Sequence, residues 1–209
     1  FHRHWWRAHM EVNQRFADAA ASVVEEGDLI WIHDYQLQLV PAMLRERFRD
    51  HKIGFFLHIP FPPPEIFERL PWRRQILEGL LGADYLGFQT RRGALNFAAA
   101  AREFADARGP AGSLRYEDRE IRAEPVPIAI DTAHYAAAAS DPEIQQLGAE
   151  LRRDLGDPRV LILGVDRLDY TKGIDLRLGV LETLFETRPD LIGQVSLVQI
   201  SVPSREDVD

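Results

Sequence analysis

Hydrophobic positions along the chain switch between helical spacing and short continuous runs, which predicts helices and strands in turn. Helical spacing covers residues 5–25, 37–48, 65–81 (one helix or a pair), 93–105 and 176–187. Short apolar runs cover residues 29–33, 52–59, 84–89, 119–130 (one or two strands, interrupted by Pro125 and Pro127), 160–165 and 195–202. Breaker residues predict a bend at residues 60–64, a loop at 106–118 and a helix start at 141–143. Strands that alternate with helices form parallel sheets covered on both faces, so we predict an α/β fold.

A domain boundary is predicted near Asp131, where the amino-acid composition of the chain changes. Small helical residues follow this point, and only two further strands are predicted. We therefore divide the chain into residues 1–132 and residues 133–209. Two strands cannot enclose a core, so we expect the second domain to be incomplete. The chain opens with Phe1 and not with Met, and we expect it to be part of a longer protein.

Composition and charge narrow the classes of function. The 209 residues include 33 acidic and 25 basic side chains, for a formal net charge of -8. A nucleic-acid surface needs uncompensated positive charge, so we expect no nucleic-acid partner. No apolar run approaches the roughly 18 residues of a membrane-spanning helix, so we expect no membrane partner. The absence of cysteine excludes thiolate nucleophiles and Cys-based zinc sites and allows a reducing compartment, and we expect a cytoplasmic protein.

Polar clusters follow almost every predicted strand, at the edge where open parallel sheets bind ligands. The clusters are His33-Asp34-Tyr35, His58 with the prolines after it, Gln89-Thr90, Asp131, residues 166–173 and Pro203-Ser204-Arg205. Loops are polar in any protein, so a structural origin stays open. We favour a functional origin because the clusters share one edge.

Arg167 and Lys172 predict a phosphate site in the loop after the run at residues 160–165. Two cations and the amide groups of a following helix can converge on one phosphate, and each charge-assisted hydrogen bond contributes about 1.5–3 kcal/mol. Lys52 and Lys172 are the only lysines of the chain, which makes the placement of Lys172 before a glycine notable. The alternative is a surface pair between Arg167 and a neighbouring aspartate. The loop lacks the glycine-to-lysine spacing of a Walker A sequence.

Asp34 and His58 are candidate sugar-binding residues. A carboxylate accepts several hydrogen bonds from sugar hydroxyls and offers no competing donor. Asp34 could equally be the N-cap of the helix predicted from residue 37. His58 precedes prolines that restrict the backbone, which suits a donor or acceptor held in place. A buried core histidine is an equally good interpretation of that position.

Five strings of residues carry a resemblance to a known family. They are His33-Asp34-Tyr35 with Leu37, Leu39, Val40 and Pro41; residues 54–62 (GFFLHIPFP); residues 86–90 (LGFQT); residues 166–174 (DRLDYTKGI); and residues 202–205 (VPSR). In order and spacing they resemble the trehalose-6-phosphate synthases, the retaining glycosyltransferases of family 20. The resemblance implies two Rossmann-like domains of the GT-B type, both incomplete here. Residues 1–132 would be the later part of the acceptor-side domain, and residues 133–209 the first part of the nucleotide-sugar domain.

The resemblance also implies a reaction and its substrates. Glucose would pass from a nucleotide sugar, usually UDP-glucose, to glucose 6-phosphate, giving trehalose 6-phosphate with retained configuration. Arg167 and Lys172 would bind the donor diphosphate, His58 would contact the transferred glucose, and Asp34 would orient the acceptor. The leaving phosphate would take the acceptor's proton on the same face, so no enzyme nucleophile would be required. The resemblance also implies no metal and no cofactor. The partners would be a nucleotide sugar and a sugar phosphate, and a homo-oligomer stays open.

Two other functions stay open. The acceptor could differ, as in the related synthases that make glucosylglycerol phosphate, or the protein could be a non-catalytic member that senses sugar phosphates. The groups that grip the acceptor phosphate and the donor ribose are expected outside these residues, so we expect the isolated chain to be inactive. No role is carried over for Ser204 or Arg205.

Overall fold

The computed structural model describes residues 2–203, and these form the α/β architecture that the sequence predicts. The chain separates into two compact units, Phe1–Ala129 and Ile130–Asp209. Ser204 and Arg205, at the end of the last predicted strand, lie outside the described residues. Within residues 2–203, every helix is too short or too polar to cross a membrane.

The first unit is built on a five-stranded sheet. Its strands are β1 (Leu29–His33), β2 (Lys52–Leu57), β3 (Tyr85–Phe88), β4 (Leu114–Tyr116) and β5 (Arg119–Pro125), arranged in the order β1-β2-β3-β5-β4. Strands β1, β2, β3 and β5 run parallel, and β4 pairs antiparallel with β5 at the edge. The helices are α1 (Arg3–Ala21), α2 (Val40–Arg47), α3 (Pro64–Phe67), α4 (Arg73–Leu80) and α5 (Arg91–Phe104). The parallel strands therefore bring their carboxyl ends to one edge.

The core of the first unit lies on both faces of the central strands. Phe55, Phe56 and Leu57 of β2 are all buried, because a strand in the middle of a covered sheet is enclosed on either side. Helix α5 packs on the sheet through small residues such as Ala94 and Ala101, which are buried. The continuous apolar run of β2 is thus a central strand, as predicted.

Several predicted boundaries are wrong, each for a local reason. The helix predicted at residues 37–48 begins only at Val40, because a 3₁₀ turn, Tyr35–Leu37, comes first. The strand predicted at 119–130 ends at Pro125, the first of the two prolines in this run. The backbone N–H of Val126 still donates to the Phe88 carbonyl oxygen at 2.7 Å, and Pro127, which has no N–H, follows. Asp131 consequently does not end a strand. The loop predicted at 106–118 contains β4, which its polar composition conceals.

Asn13 of α1 fastens that helix to the segment after β1. Its side chain is fully buried and donates to the carbonyl oxygen of Gln36 at 2.9 Å. Its Oδ1 accepts from the backbone N–H of Leu39 at 3.1 Å. Buried polar groups are stable only when they are hydrogen-bonded, so Asn13 holds the turn after β1 against α1.

The second unit contains a parallel pair, β6 (Val160–Arg167) and β7 (Val195–Val202). Its helices are α6 (Thr132–Ser140), α7 (Pro142–Asp154) and α8 (Ile174–Thr187). The predicted helix start is confirmed: Asp141 caps α7 by accepting from the backbone N–H of Glu143 at 2.8 Å. Within the described part of this unit, many large apolar side chains stay exposed, among them Leu163, Val165, Leu176 and Val180. Two strands cover too little apolar surface to bury them.

Candidate active site

Asp34 lies at the carboxyl end of β1 in an unusual backbone conformation, with φ 71° and ψ 168°. Its backbone N–H donates to the carbonyl oxygen of Phe56 at 2.8 Å. Its carboxylate Oδ1 accepts from the backbone N–H of Tyr35 at 2.9 Å and from that of His58 at 3.3 Å. Asp34 therefore caps the 3₁₀ turn, not an α-helix, and joins the ends of two neighbouring strands.

His58 is exposed just beyond β2, so it is not a core histidine. Its ring stands edge-on to Phe56, with 4.7 Å between ring centroids. Its Nε2 lies 3.0 Å from Nδ1 of His33, the last residue of β1. The His33 ring in turn stacks on Trp31, with centroids 5.1 Å apart. The structure thus brings Asp34 and His58 together and adds His33 to them.

The other polar residues at the strand ends of the first unit have structural contacts. Oε1 of Gln89 accepts from the backbone N–H of Ile128 at 2.9 Å. Oγ1 of Thr90 accepts from Gly93 and caps α5. Asp131, which the sequence predicts to follow a strand, lies in the second unit and caps α6 by accepting from the backbone N–H of His134 at 2.9 Å.

Arg167 and Lys172 lie at the two ends of the connection between β6 and α8. Arg167 is the last residue of β6, and Lys172 ends a 3₁₀ turn, Tyr170–Lys172. Both side chains are exposed, and neither forms an ion pair with any residue between 2 and 203. The alternative pairing of Arg167 with a neighbouring aspartate is therefore not formed.

The two aspartates of this connection are engaged elsewhere. Asp166 Oδ2 accepts from Nη1 of Arg177 at 2.9 Å, and this bond is the main reason that the pKa of Asp166 lies below its ordinary value. Asp169 Oδ1 accepts from the backbone N–H and the hydroxyl of Thr171. The backbone bond is the first cause that lowers the pKa of Asp169. Asp166 is thus bonded to α8 and Asp169 within the 3₁₀ turn, and neither carboxylate forms a salt bridge with Arg167 or Lys172.

Helix α8 begins directly after the connection. Its N-cap, Gly173, has φ 60°, a left-handed conformation that favours glycine, and it supplies no side chain to cap the helix. The first amide groups of a helix lack partners inside it and attract anions. The geometry is therefore compatible with an anion between an exposed guanidinium, an exposed ammonium and a helix N-terminus.

Sequence reasoning missed three residues of these networks: His33, Arg177 and Gln199. The sequence places His33 only in a strand-end cluster, because its contact with His58 depends on the register of β1 against β2. Arg177 contacts Gln199, which is 22 residues away in the chain, so no local sequence pattern predicts this hydrogen bond. Among residues 2–203, His, Asp and Glu side chains form no cluster of three or more suited to a metal ion.

Comparison with known proteins identifies the family. The family model described as Glycosyltransferase family 20 matches residues 1–209, which is the whole chain. The chain belongs to glycosyltransferase family 20. Among the relatives of this family 20 chain, the trehalose-6-phosphate synthase of Mycolicibacterium smegmatis is 47% identical over 218 residues. That match covers 100% of the chain and 43% of the relative, so the chain spans less than half of the relative's length.

Solved structures show that the family 20 chain shares its fold with synthases of this family. An Escherichia coli structure described as bound with UDP-2-fluoro glucose matches with a TM-score of 0.80 and 37% identity, over 100% of this chain and 46% of that one. An alpha,alpha-trehalose-phosphate synthase (UDP-forming) from Burkholderia xenovorans in complex with glucose-6-phosphate matches with a TM-score of 0.81 and 32% identity, again over 100% and 46%. The predicted resemblance and fold class are confirmed.

Proposed function

We propose that the protein carrying this chain transfers glucose from UDP-glucose to glucose 6-phosphate, forming trehalose 6-phosphate with retained configuration. The observation that carries the proposal is the pair Arg167 and Lys172: two exposed cations, without ion pairs to residues 2–203, at the ends of the connection that leads into α8. Solved relatives described with a UDP-sugar and with glucose-6-phosphate support both substrates.

In the second unit, Arg167 and Lys172 would bind the diphosphate of the donor. When the bond between the glucose C1 and the phosphate oxygen breaks, its electron pair stays on that oxygen, and negative charge grows on the leaving UDP. A guanidinium and an ammonium stabilise this growing charge more than the starting diphosphate, which is the requirement for catalysis. Lys172 is a point charge and Arg167 a planar fork, so the two cations make different contacts with phosphate oxygens.

In the first unit, His58 would contact the transferred glucose and Asp34 would orient the acceptor. One carboxylate oxygen of Asp34, Oδ1, accepts hydrogen bonds from the backbone N–H groups of Tyr35 and His58. Its other oxygen retains lone pairs for sugar hydroxyls. The acceptor hydroxyl forms the new bond to C1 on the face that UDP leaves, and its proton passes to the departing phosphate oxygen. Attack from the same face accounts for retention without an enzyme nucleophile.

UDP binding tests the donor site, measured by calorimetry on a full-length protein that carries these residues. We expect Lys172→Ala to weaken UDP binding roughly tenfold to hundredfold, the loss of one charge-assisted hydrogen bond. Lys52→Ala is the matched control, because Lys52 is the other lysine of the chain and begins β2 in the first unit. Equal UDP affinity in Lys172→Ala and the wild type would remove the donor assignment.

The geometry of Arg167 is tested by a change that keeps its charge. We expect Arg167→Lys to lower kcat/KM for UDP-glucose, because an ammonium cannot reproduce the forked donors of a guanidinium. Arg159→Lys is the control, since Arg159 is exposed and directly precedes β6 at its opposite end. If both variants retain wild-type kcat/KM, Arg167 does not contact the diphosphate.

Product analysis by mass spectrometry tests the acceptor. The full-length protein is incubated with UDP-glucose and either glucose 6-phosphate or glycerol 3-phosphate. We expect trehalose 6-phosphate and no glucosylglycerol phosphate. The reverse result would assign the protein to the other synthase, and UDP binding without any UDP release would identify a sensing member.

A further inference from the structure

Arg177 of α8 ties together three separate elements of the second unit. Its Nη1 donates to Oδ2 of Asp166, the penultimate residue of β6, at 2.9 Å. The same nitrogen donates to Oε1 of Gln199, in β7, at 2.6 Å. Its Nη2 donates to the backbone carbonyl oxygen of Lys172 at 3.2 Å, in the turn before α8. Gln199 closes the network, because its Nε2 lies 3.4 Å from the same Asp166 oxygen.

Gly164 of β6 provides the room for this network. A Cβ at Gly164 would lie 2.6 Å from Nη1 of Arg177 and would also overlap the side-chain amide of Gln199. Because real Cβ atoms do not approach other atoms this closely, any larger residue would displace the guanidinium. The network therefore lies directly over the backbone of β6, three residues before Arg167.

The bonds of Arg177 hold both ends of the loop that carries the two proposed diphosphate ligands. Asp166 is the neighbour of Arg167 at the start of the loop, and the carbonyl of Lys172 is at its end. Successive residues of a strand point to opposite faces, so Asp166 faces Arg177 while Arg167 lies on the other face. Arg177 thus constrains the backbone at both ends of the loop and makes no bond to the charged groups of Arg167 and Lys172.

We propose that Arg177 is a positioning residue for the donor diphosphate. It does not contact the nucleotide, and it sets the separation of Arg167 and Lys172 by clamping Asp166 and the Lys172 carbonyl with one guanidinium. This role rests on the proposed function. A guanidinium is required because its planar nitrogens reach acceptors on both sides at once, whereas the single nitrogen of a lysine cannot. Its own charge is balanced by Asp166, so it adds no free cation to the site.

The test is a double-mutant cycle in a full-length protein that carries these residues, with UDP affinity as the readout. We expect Arg177→Gln to weaken UDP binding about tenfold, since small displacements of binding groups have effects of this size or larger. We expect Arg177→Lys to fail to restore it. Because Arg177 acts through the separation of Arg167 and Lys172, which no longer matters once Lys172 is truncated, the double variant with Lys172→Ala should lose less UDP affinity than the product of the two single losses. The KM for glucose 6-phosphate should stay unchanged.

The control is Arg188→Gln, after the other end of α8, where an exposed Arg188 pairs with Asp190. This variant should bind UDP like the wild type. If Arg177→Gln does not fold, Gln199→Ala replaces it, removes one acceptor of Nη1 and should weaken UDP binding in the same direction.

Three results separate this inference from the proposed function. If the Arg177 variant binds UDP like the wild type while Lys172→Ala binds it more weakly, only the positioning role is overturned. The same holds if the double variant loses UDP affinity by the product of the two single losses. Wild-type UDP affinity in Lys172→Ala overturns the donor site itself.

Discussion

His33 Nδ1 lies 3.0 Å from His58 Nε2, across the ends of two neighbouring parallel strands. One of the two nitrogens must carry the proton for this bond, so each ring restricts the tautomer of the other. The stack of His33 on Trp31 and the edge contact of His58 with Phe56 restrict the ring planes. The His58 ring is therefore held in one orientation and does not rotate freely.

Removing the nitrogen of His33 tests this orientation. His33→Phe keeps an aromatic ring against Trp31 and removes the hydrogen bond, whose loss costs about 0.5–1.5 kcal/mol. We expect kcat/KM for UDP-glucose to fall roughly 2- to 13-fold, with the thermal unfolding midpoint nearly unchanged. His51→Phe serves as the control, because His51 contacts the Glu25 carbonyl and precedes β2. Wild-type kcat/KM in His33→Phe would show that His58 needs no support from this partner.

The backbone of Asp34 stores strain at the candidate acceptor site. Its combination of φ 71° and ψ 168° is open almost only to glycine and costs other residues about 1–3 kcal/mol. Asp34→Gly and Asp34→Ala both remove the carboxylate, and only the glycine removes the strain. We expect the glycine variant to be the more stable by about 1–2 kcal/mol in urea unfolding, with both variants losing affinity for glucose 6-phosphate. Equal unfolding midpoints for the two variants would mean that Asp34 is unstrained.

Asp84 directly precedes β3 and lies where β2 and β3 begin, at the end of the first sheet away from the candidate site. Its Oδ2 accepts from Arg45 Nη2 at 2.7 Å and from the backbone N–H of Ile53 at 2.8 Å. The Arg45 side chain is only 12% exposed, so Asp84→Ala leaves a largely buried charge without its partner. We expect a loss of about 2–4 kcal/mol in the free energy of unfolding, without a change in UDP affinity.

The control for Asp84 is Glu11→Ala, which breaks the exposed pair between Glu11 and Arg15 on α1. Such pairs contribute about 0–1 kcal/mol, so this variant should unfold like the wild type. Similar midpoints for the Asp84 and Glu11 variants would contradict the structural role of Asp84.

Acid should weaken the second unit through Asp166. The hydrogen bond from Arg177 places the pKa of Asp166 below its ordinary value of 3.8. A carboxylate with a depressed pKa stabilises the folded state fully above its unfolded pKa, and this contribution is lost as the pH falls through the folded pKa. We expect the stability of wild type relative to Asp166→Asn to be constant from pH 7 to about pH 4 and to decline below it. Denaturant unfolding at each pH measures the difference, and a difference that grows on acidification would contradict the assignment.

The strands could be predicted because their signals are local. The limits of β1 and β7 follow from short apolar runs, and the start of α7 follows from an aspartate before a proline. The family resemblance also depends on contiguous strings, which the chain displays without any folding. Predicted boundaries were wrong where a local feature shortens an element: the 3₁₀ turn after Asp34 delays α2 to Val40, and β5 ends at Pro125, inside the predicted run.

By itself, the amino-acid sequence determined the α/β class, the family and, except for Asp131, which polar side chains follow which strands, because hydrophobic period and residue order are properties of neighbours in the chain. Only the tertiary structure decided which of those side chains touch. His33 reaches His58 through the register of two strands, and the side chain of Arg177 in α8 reaches Asp166 of β6 and Gln199 of β7. Contacts between residues far apart in sequence depend on how elements pack, and no local pattern encodes that arrangement.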